Sequence, residues 1–137
     1  MSVVKSKRSE GQLSVFTKAN DLAVYTIKIC SNEKHFPKHY RWCITSKIVE
    51  TALDINNNII EANTIYVSDA QDYALRKERQ QKALTASAAL LSMTDIAYRT
   101  FGIESGKIEH WTGLIMDVQT AIRNWKKSDA ERYKNLR

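Results

Sequence analysis

In residues 105–125 the large apolar side chains fall at Ile108, Trp111, Ile115, Val118, Ile122 and Trp125, in strictly alternating steps of three and four. At 3.6 residues per turn such steps form one stripe along a helix, whereas a half-buried strand repeats every second residue. Nearly the same alternation recurs at Ile44, Ile48, Ala52, Ile55, Ile59, Ala62 and Tyr66. These stripes commit much of the chain to helices with one buried side apiece. Four glycines and one proline among 137 residues are too few for the many tight turns of an all-β fold.

Four helices are predicted. The first covers residues 12–31, with Leu13, Phe16, Ala19, Leu22, Ala23, Ile27 and Cys30 as its apolar stripe. The second covers 37–66. The third covers 69–101, opened by a capping box with Ser68 at the cap and Gln71 three residues on, and closed by Gly102. Its core line is Leu84, Ser87, Leu91, Thr94, Tyr98 and Phe101, widened by Ala83, Ala86, Leu90, Met93 and Ala97. The fourth begins near residue 105 and either continues to the C-terminus or breaks at a second capping box, Ser128-Asp129-Ala130-Glu131. Short links make consecutive helices antiparallel neighbours. The expected architecture is an all-α, up-down-up-down four-helix bundle: a basic N-terminal arm over residues 1–11 and a single domain over 12–137.

The second helix carries a second apolar stripe, Val49, Leu53, Ile60 and Val67, roughly 120° from the first by helical geometry. A peripheral helix of a lone bundle needs only one. Two explanations stand: a homo-oligomer interface through Val49, Leu53 and Ile60, or a helix sunk deeper in its own bundle.

The densest chemistry lies in KHFPKHYRWC, residues 34–43, which with Cys30 gives the order Cys30, His35, His39, Cys43. Histidines four apart share a face only if both are helical. Pro37 stands between them and suits the first helical turn while disfavouring helix before it. His35 therefore belongs to a loop and His39 to a helix start, and no metal site is expected. Residues 1–12 lack the apolar segment of a secretory signal, and no run reaches the roughly 20 apolar residues of a membrane span. Two cysteines in that setting read as free thiols in a cytoplasmic, reducing compartment. No nucleophile elbow, phosphate loop or zinc-protease motif is present, and Glu61 and Asp95 are the candidate inward carboxylates. A catalytic site and a cofactor are not expected.

Charge is the remaining signal. The net charge is +6, which favours an acidic partner such as RNA or DNA. Antiparallel packing gathers Lys5, Lys7 and Arg8, then Arg76, Lys77, Arg79 and Lys82, then Arg123, Lys126, Lys127, Arg132, Lys134 and Arg137 at one pole. Lys34, Lys38, Arg41 and Lys47 sit at the other. The expected nucleic-acid contacts are Arg76, Lys77, Arg79, Lys82, Arg123, Lys126, Lys127, Lys38 and Arg41, reading charge and shape. Trp111 and Trp125 belong to the core, whereas Tyr40 and Trp42 are candidates for an exposed stacking surface.

Phe36-Pro37-Lys38, then Tyr40-Arg41, the Ile44/Ile48 stripe and Asn58-Ile59-Ile60-Glu61-Ala62 resemble the bacterial four-helix bundle protein family. Ala62 stands where many of its members have Gly. One branch is the accessory variability determinants of diversity-generating retroelements. The resemblance implies, for that branch, a non-enzymatic pentameric ring that binds nucleic acid and a reverse transcriptase and supports mutagenic cDNA synthesis. It also implies a bacterial or phage source. A second branch, encoded in intervening sequences of ribosomal RNA genes, has no assigned role and is the alternative. Asn58 is expected at the edge of the core, fixing helix register.

Overall fold

A computed structural model describes the backbone of residues 3–136 and the side chains of residues 14–136. Four helices follow in order: α1 (Val3–Ser31), α2 (Ser46–Thr64), α3 (Ala70–Phe101) and α4 (Ser105–Arg132). Each packs on its neighbour in sequence, and α1 against α4 closes the ring. The architecture is the expected up-down bundle. The backbone is helical from Val3, so residues 3–11 continue α1 rather than forming a loose arm. The side chains of Lys5, Lys7, Arg8 and Leu13, and all of Arg137, lie outside the described residues. Among the described residues no helix is long and apolar enough to cross a membrane.

The stripes on α2 and α4 are buried as read. Ile48, Ala52, Ile55, Ile59 and Ala62 meet Trp111, Ile115, Val118, Ile122 and Trp125 in one core cluster. Tyr66 falls past the end of α2 and is exposed. On α1 the interior position is Thr26 and not Ile27. The Thr26 hydroxyl donates to the Leu22 carbonyl at 2.7 Å and accepts from Trp111 Nε1 at 3.0 Å, which satisfies both buried groups.

Helix ends differ from the sequence expectation in instructive ways. The cap of α3 is Asp69, one residue later than Ser68: its carboxylate accepts from the Asp72 N–H at 2.8 Å. Asp72 in turn accepts from the Ser68 hydroxyl and N–H at 2.8 and 3.1 Å, which holds its carboxyl below the usual range. Asp and Ser are comparably good N-caps, and the Asp69 carboxylate also meets the positive end of the helix dipole. Gly102 closes α3 at φ 64°, donating to the Tyr98 carbonyl at 2.9 Å, a geometry that disfavours any side chain with a Cβ. The entry to α2 is not α-helical from Pro37. A 3-10 turn, Lys38–Tyr40, leads into a π-helical turn, Arg41–Thr45. Phe36 is buried there and stands edge-on to Phe101 and Trp111, at ring distances of 5.4 and 6.0 Å. Asn58 does not fix register. It donates to the Asp54 carbonyl one turn back, and Asn56 instead reaches Asn20 of α1 at 2.6 Å.

Helix α4 runs unbroken through residues 128–131, so Ser128 is no cap and Asp129 lies inside the helix. It is 1% exposed and faces α3. Arg76 pairs with it in a fork: Nε to Oδ2, and Nη2 to Oδ1 at 3.1 Å. Gln80 Nε2 adds a donor at 2.8 Å, and Arg76 Nη1 lies 3.5 Å from the Ala62 carbonyl at the end of α2. Removing one member of a buried pair strands the other charge, which costs about 3–5 kcal/mol, whereas apolar replacement of both is often neutral. Asp129→Ala should therefore lower unfolding stability by about that amount in urea titration, and Arg76→Met with Asp129→Leu should restore most of it.

Candidate nucleic-acid interface

The basic residues of α3 expected to act together point three ways. Arg76 is 4% exposed and spent on Asp129, so it is a core residue and not a phosphate contact. Arg79 and Lys82 lie toward α2 or beside their own carboxylates: Arg79 is 3.4 Å from Glu61, and Lys82 is 3.4 Å from Glu78. Of the exposed ones, Lys77 alone turns toward α4.

There the structure assembles a compact cationic hollow. Lys77, Lys126 and Lys127 surround a recess of about 330 Å³ floored by Tyr73 and Ala130. The Lys77 ammonium lies 4.7 Å from the centre of the Tyr73 ring, which is itself buried and packed on Tyr133 at 5.1 Å. Lys126 Nζ donates to Gln81 Oε1 at 2.8 Å, tying its stem across the α3/α4 seam. Arg123 is exposed on the same side of α4, one turn before Lys127. Among the described residues no carboxylate lines this recess. Three lysines lining one recess with no carboxylate among its lining favour an anion beside them. Tyr73 is covered, so no ring is free for a base to stack on. The recess is suited to phosphate rather than to base recognition.

Lys38 and Arg41 lie at the opposite pole, both exposed, with Trp42 between the α1 and α2 ends at 81% exposure. They are not part of the α3/α4 face. The expected candidate carboxylates are both exposed: Glu61 faces Arg79, and Asp95 pairs with Arg99 at 3.1 Å. The buried carboxylate is Asp129, the second residue of the Ser128–Glu131 capping-box pattern.

Val49, Leu53 and Ile60 share one side of α2. Leu53 is 41% and Ile60 50% exposed, whereas Val49 packs partly buried against the core cluster, so only Leu53 and Ile60 leave this side of α2 open. Helical spacing puts Val24 and Ile27 of α1, 50% and 42% exposed, on the matching side, in register through the Asn20–Asn56 bond. The α1/α2 seam is thus apolar on its outer surface, and the α3/α4 seam across the bundle is basic.

Cys30 is buried and Cys43 exposed, and no three metal-ligating side chains come together among the described residues. Burial pushes the Cys30 thiol up to about 12, so at pH 8 it holds almost no thiolate, the reactive form. A thiol reagent should label one sulfur per native chain at that pH, and Cys43→Ser should abolish it; rapid labelling of two would contradict this burial. Comparison with family models, with curated proteins and with solved structures returned no match. What stands at this point is a four-helix all-α protein with no family identified.

Proposed function

We propose that this protein is a non-catalytic nucleic-acid-binding bundle that holds phosphate backbone on its α3/α4 face. The observation that carries the reading is the recess of Lys77, Lys126 and Lys127, which lacks any acidic lining residue among those described. Each phosphate neutralised by such a face releases condensed counterions, so affinity comes from charge and falls with salt. The Phe36-Pro37-Lys38 and Asn58–Ala62 resemblance extends the proposal: the bundle serves as an accessory to the reverse transcriptase of a diversity-generating retroelement, assembled as a homo-oligomer. The exposed Leu53, Ile60, Val24 and Ile27 side chains supply an apolar face for that assembly, away from the lysines.

Reversing Lys77, Lys126 and Lys127 to Glu should abolish binding to a short RNA or DNA duplex while leaving the helical circular-dichroism signal unchanged. Single reversals should make the slope of log affinity against log salt shallower, by roughly 0.9 for each phosphate that is no longer neutralised. Wild-type affinity in the triple variant would refute the site. For the assembly, Leu53→Glu with Ile60→Glu should shift light scattering from an oligomer to the monomer mass; a wild-type monomer at micromolar concentration would contradict it.

A further inference from the structure

At the other pole, the entry to α2 builds a second hollow, of about 470 Å³, within the size range of small-ligand sites. Buried Phe36 lines its interior, and Trp42 at 81% exposure lines its open side. An α-helix continued back from Ile48 would carry residue 41 onto the buried stripe, since seven residues make nearly two turns. The π-helical turn Arg41–Thr45 breaks that register and leaves Arg41 exposed beside the hollow. Such turns cluster at functional sites.

The lining is chemically unusual. Lys38 and Arg41 share it with Glu33 and Glu50, yet no ion pair joins any of these four among the described residues. The Trp42 indole likewise has neither ring partner nor hydrogen bond among them. Thr45 lines the same hollow, and its Oγ1 is enclosed without a hydrogen-bond partner. A ligand completing this set must carry an anion, hydrogen-bond donors for a carboxylate, and a flat ring.

We propose that the α2-entry hollow binds a nucleotide, with Lys38 and Arg41 on its phosphate, Trp42 on the face of its base, and Glu33 or Glu50 on the base's N–H edge. Stacking on an exposed indole tolerates any base, so the carboxylates set the preference. A carboxylate accepts through two oxygens. Guanine presents a ring N–H and an amino group side by side, whereas uracil presents a single ring N–H. Guanine should therefore bind best. The nucleotide is either free or an unpaired residue of a strand, and this hollow is independent of the lysine recess on α3/α4.

Trp42 is the exposed one of three indoles, Trp111 and Trp125 being buried, so quenching of tryptophan fluorescence in the intact protein reports on it. GMP should quench saturably, and guanosine, lacking phosphate, should bind at least about tenfold more weakly. Arg41→Glu should bring GMP down to the guanosine level. Glu33→Gln with Glu50→Gln should erase the preference of GMP over UMP. Trp42→Ala should abolish GMP binding in calorimetry, and all these side chains are exposed, so the fold is retained. Tighter binding of a short guanine-containing single strand than of GMP assigns the site to a strand; equal or weaker binding assigns it to the free nucleotide. Reversal of Lys77, Lys126 and Lys127 should leave GMP binding intact, which separates this site from the α3/α4 face. Absence of saturable quenching by GMP and by the single strand at millimolar concentration overturns the proposal. So does quenching unchanged by the Arg41 and glutamate variants, or saturation by an apolar peptide alone.

Discussion

The carboxylate of Asp129 holds three helices at once. It sits on the last turns of α4, takes the guanidinium fork of Arg76 and the amide of Gln80 from α3, and through Arg76 reaches the Ala62 carbonyl near the end of α2. Trp125 closes the arrangement, its ring 5.1 Å from the Arg76 guanidinium carbon. Two charges withdrawn from water gain little net stability over apolar packing, but they are costly in any other alignment. The pair joins α3 to α4 at one rotation and register. Both lysine-bearing turns depend on that register. Lys77 follows Arg76 directly, and Lys126 and Lys127 lie within one turn before Asp129, so the buried pair sets the spacing of the exposed cations.

Closing four antiparallel helices into a ring puts the α1/α2 seam on the side opposite α3/α4, and the chain uses the two outer surfaces differently. One carries Val24, Ile27, Leu53 and Ile60 half exposed; the other carries Lys77, Arg123, Lys126 and Lys127. Apolar area gains by burial against another surface, while a cationic recess gains by staying open to a polyanion. Under the proposed function, this separation would let one bundle assemble and bind without either surface covering the other. The poles differ as well. The lysine pole is pinned by a polar network, and the opposite pole by the aromatic contacts of Phe36, Phe101 and Trp111.

Most of the bundle was legible because α2 and α4 bury large apolar residues in unbroken alternation. Helix α3 was harder. Its buried stripe is Tyr73, Arg76, Gln80, Ala83, Ser87, Leu90, Thr94 and Ala97, again in alternating steps of three and four. Ser87, Thr94, Ala83, Leu90 and Ala97 are buried as the sequence suggests, but several members are polar or small, so hydrophobicity points one residue sideways at Leu84 and Leu91 and passes over Arg76 and Gln80. The periodicity itself would have placed Arg76 indoors. Asp129 likewise continues the Trp111–Trp125 stripe by one more step of four, but a Ser-x-x-Glu pattern suggested a cap there. The lysine recess was only partly legible: the residues were named, but their partition depended on knowing which way Arg76 pointed. The π-helical turn at Arg41–Thr45 leaves no pattern in the side-chain order, since Pro37 alone predicts an ordinary α-helical start.

The claim that the α3/α4 face meets the phosphate backbone is tested most directly by mapping lysine reactivity with and without bound RNA or DNA, using limited acetylation read by mass spectrometry. The account predicts that Lys77, Lys126 and Lys127 become protected together, while the exposed Lys18 and Lys28 of α1 react as before. Protection spread evenly over all lysines, or confined to α1 and α2, would contradict it.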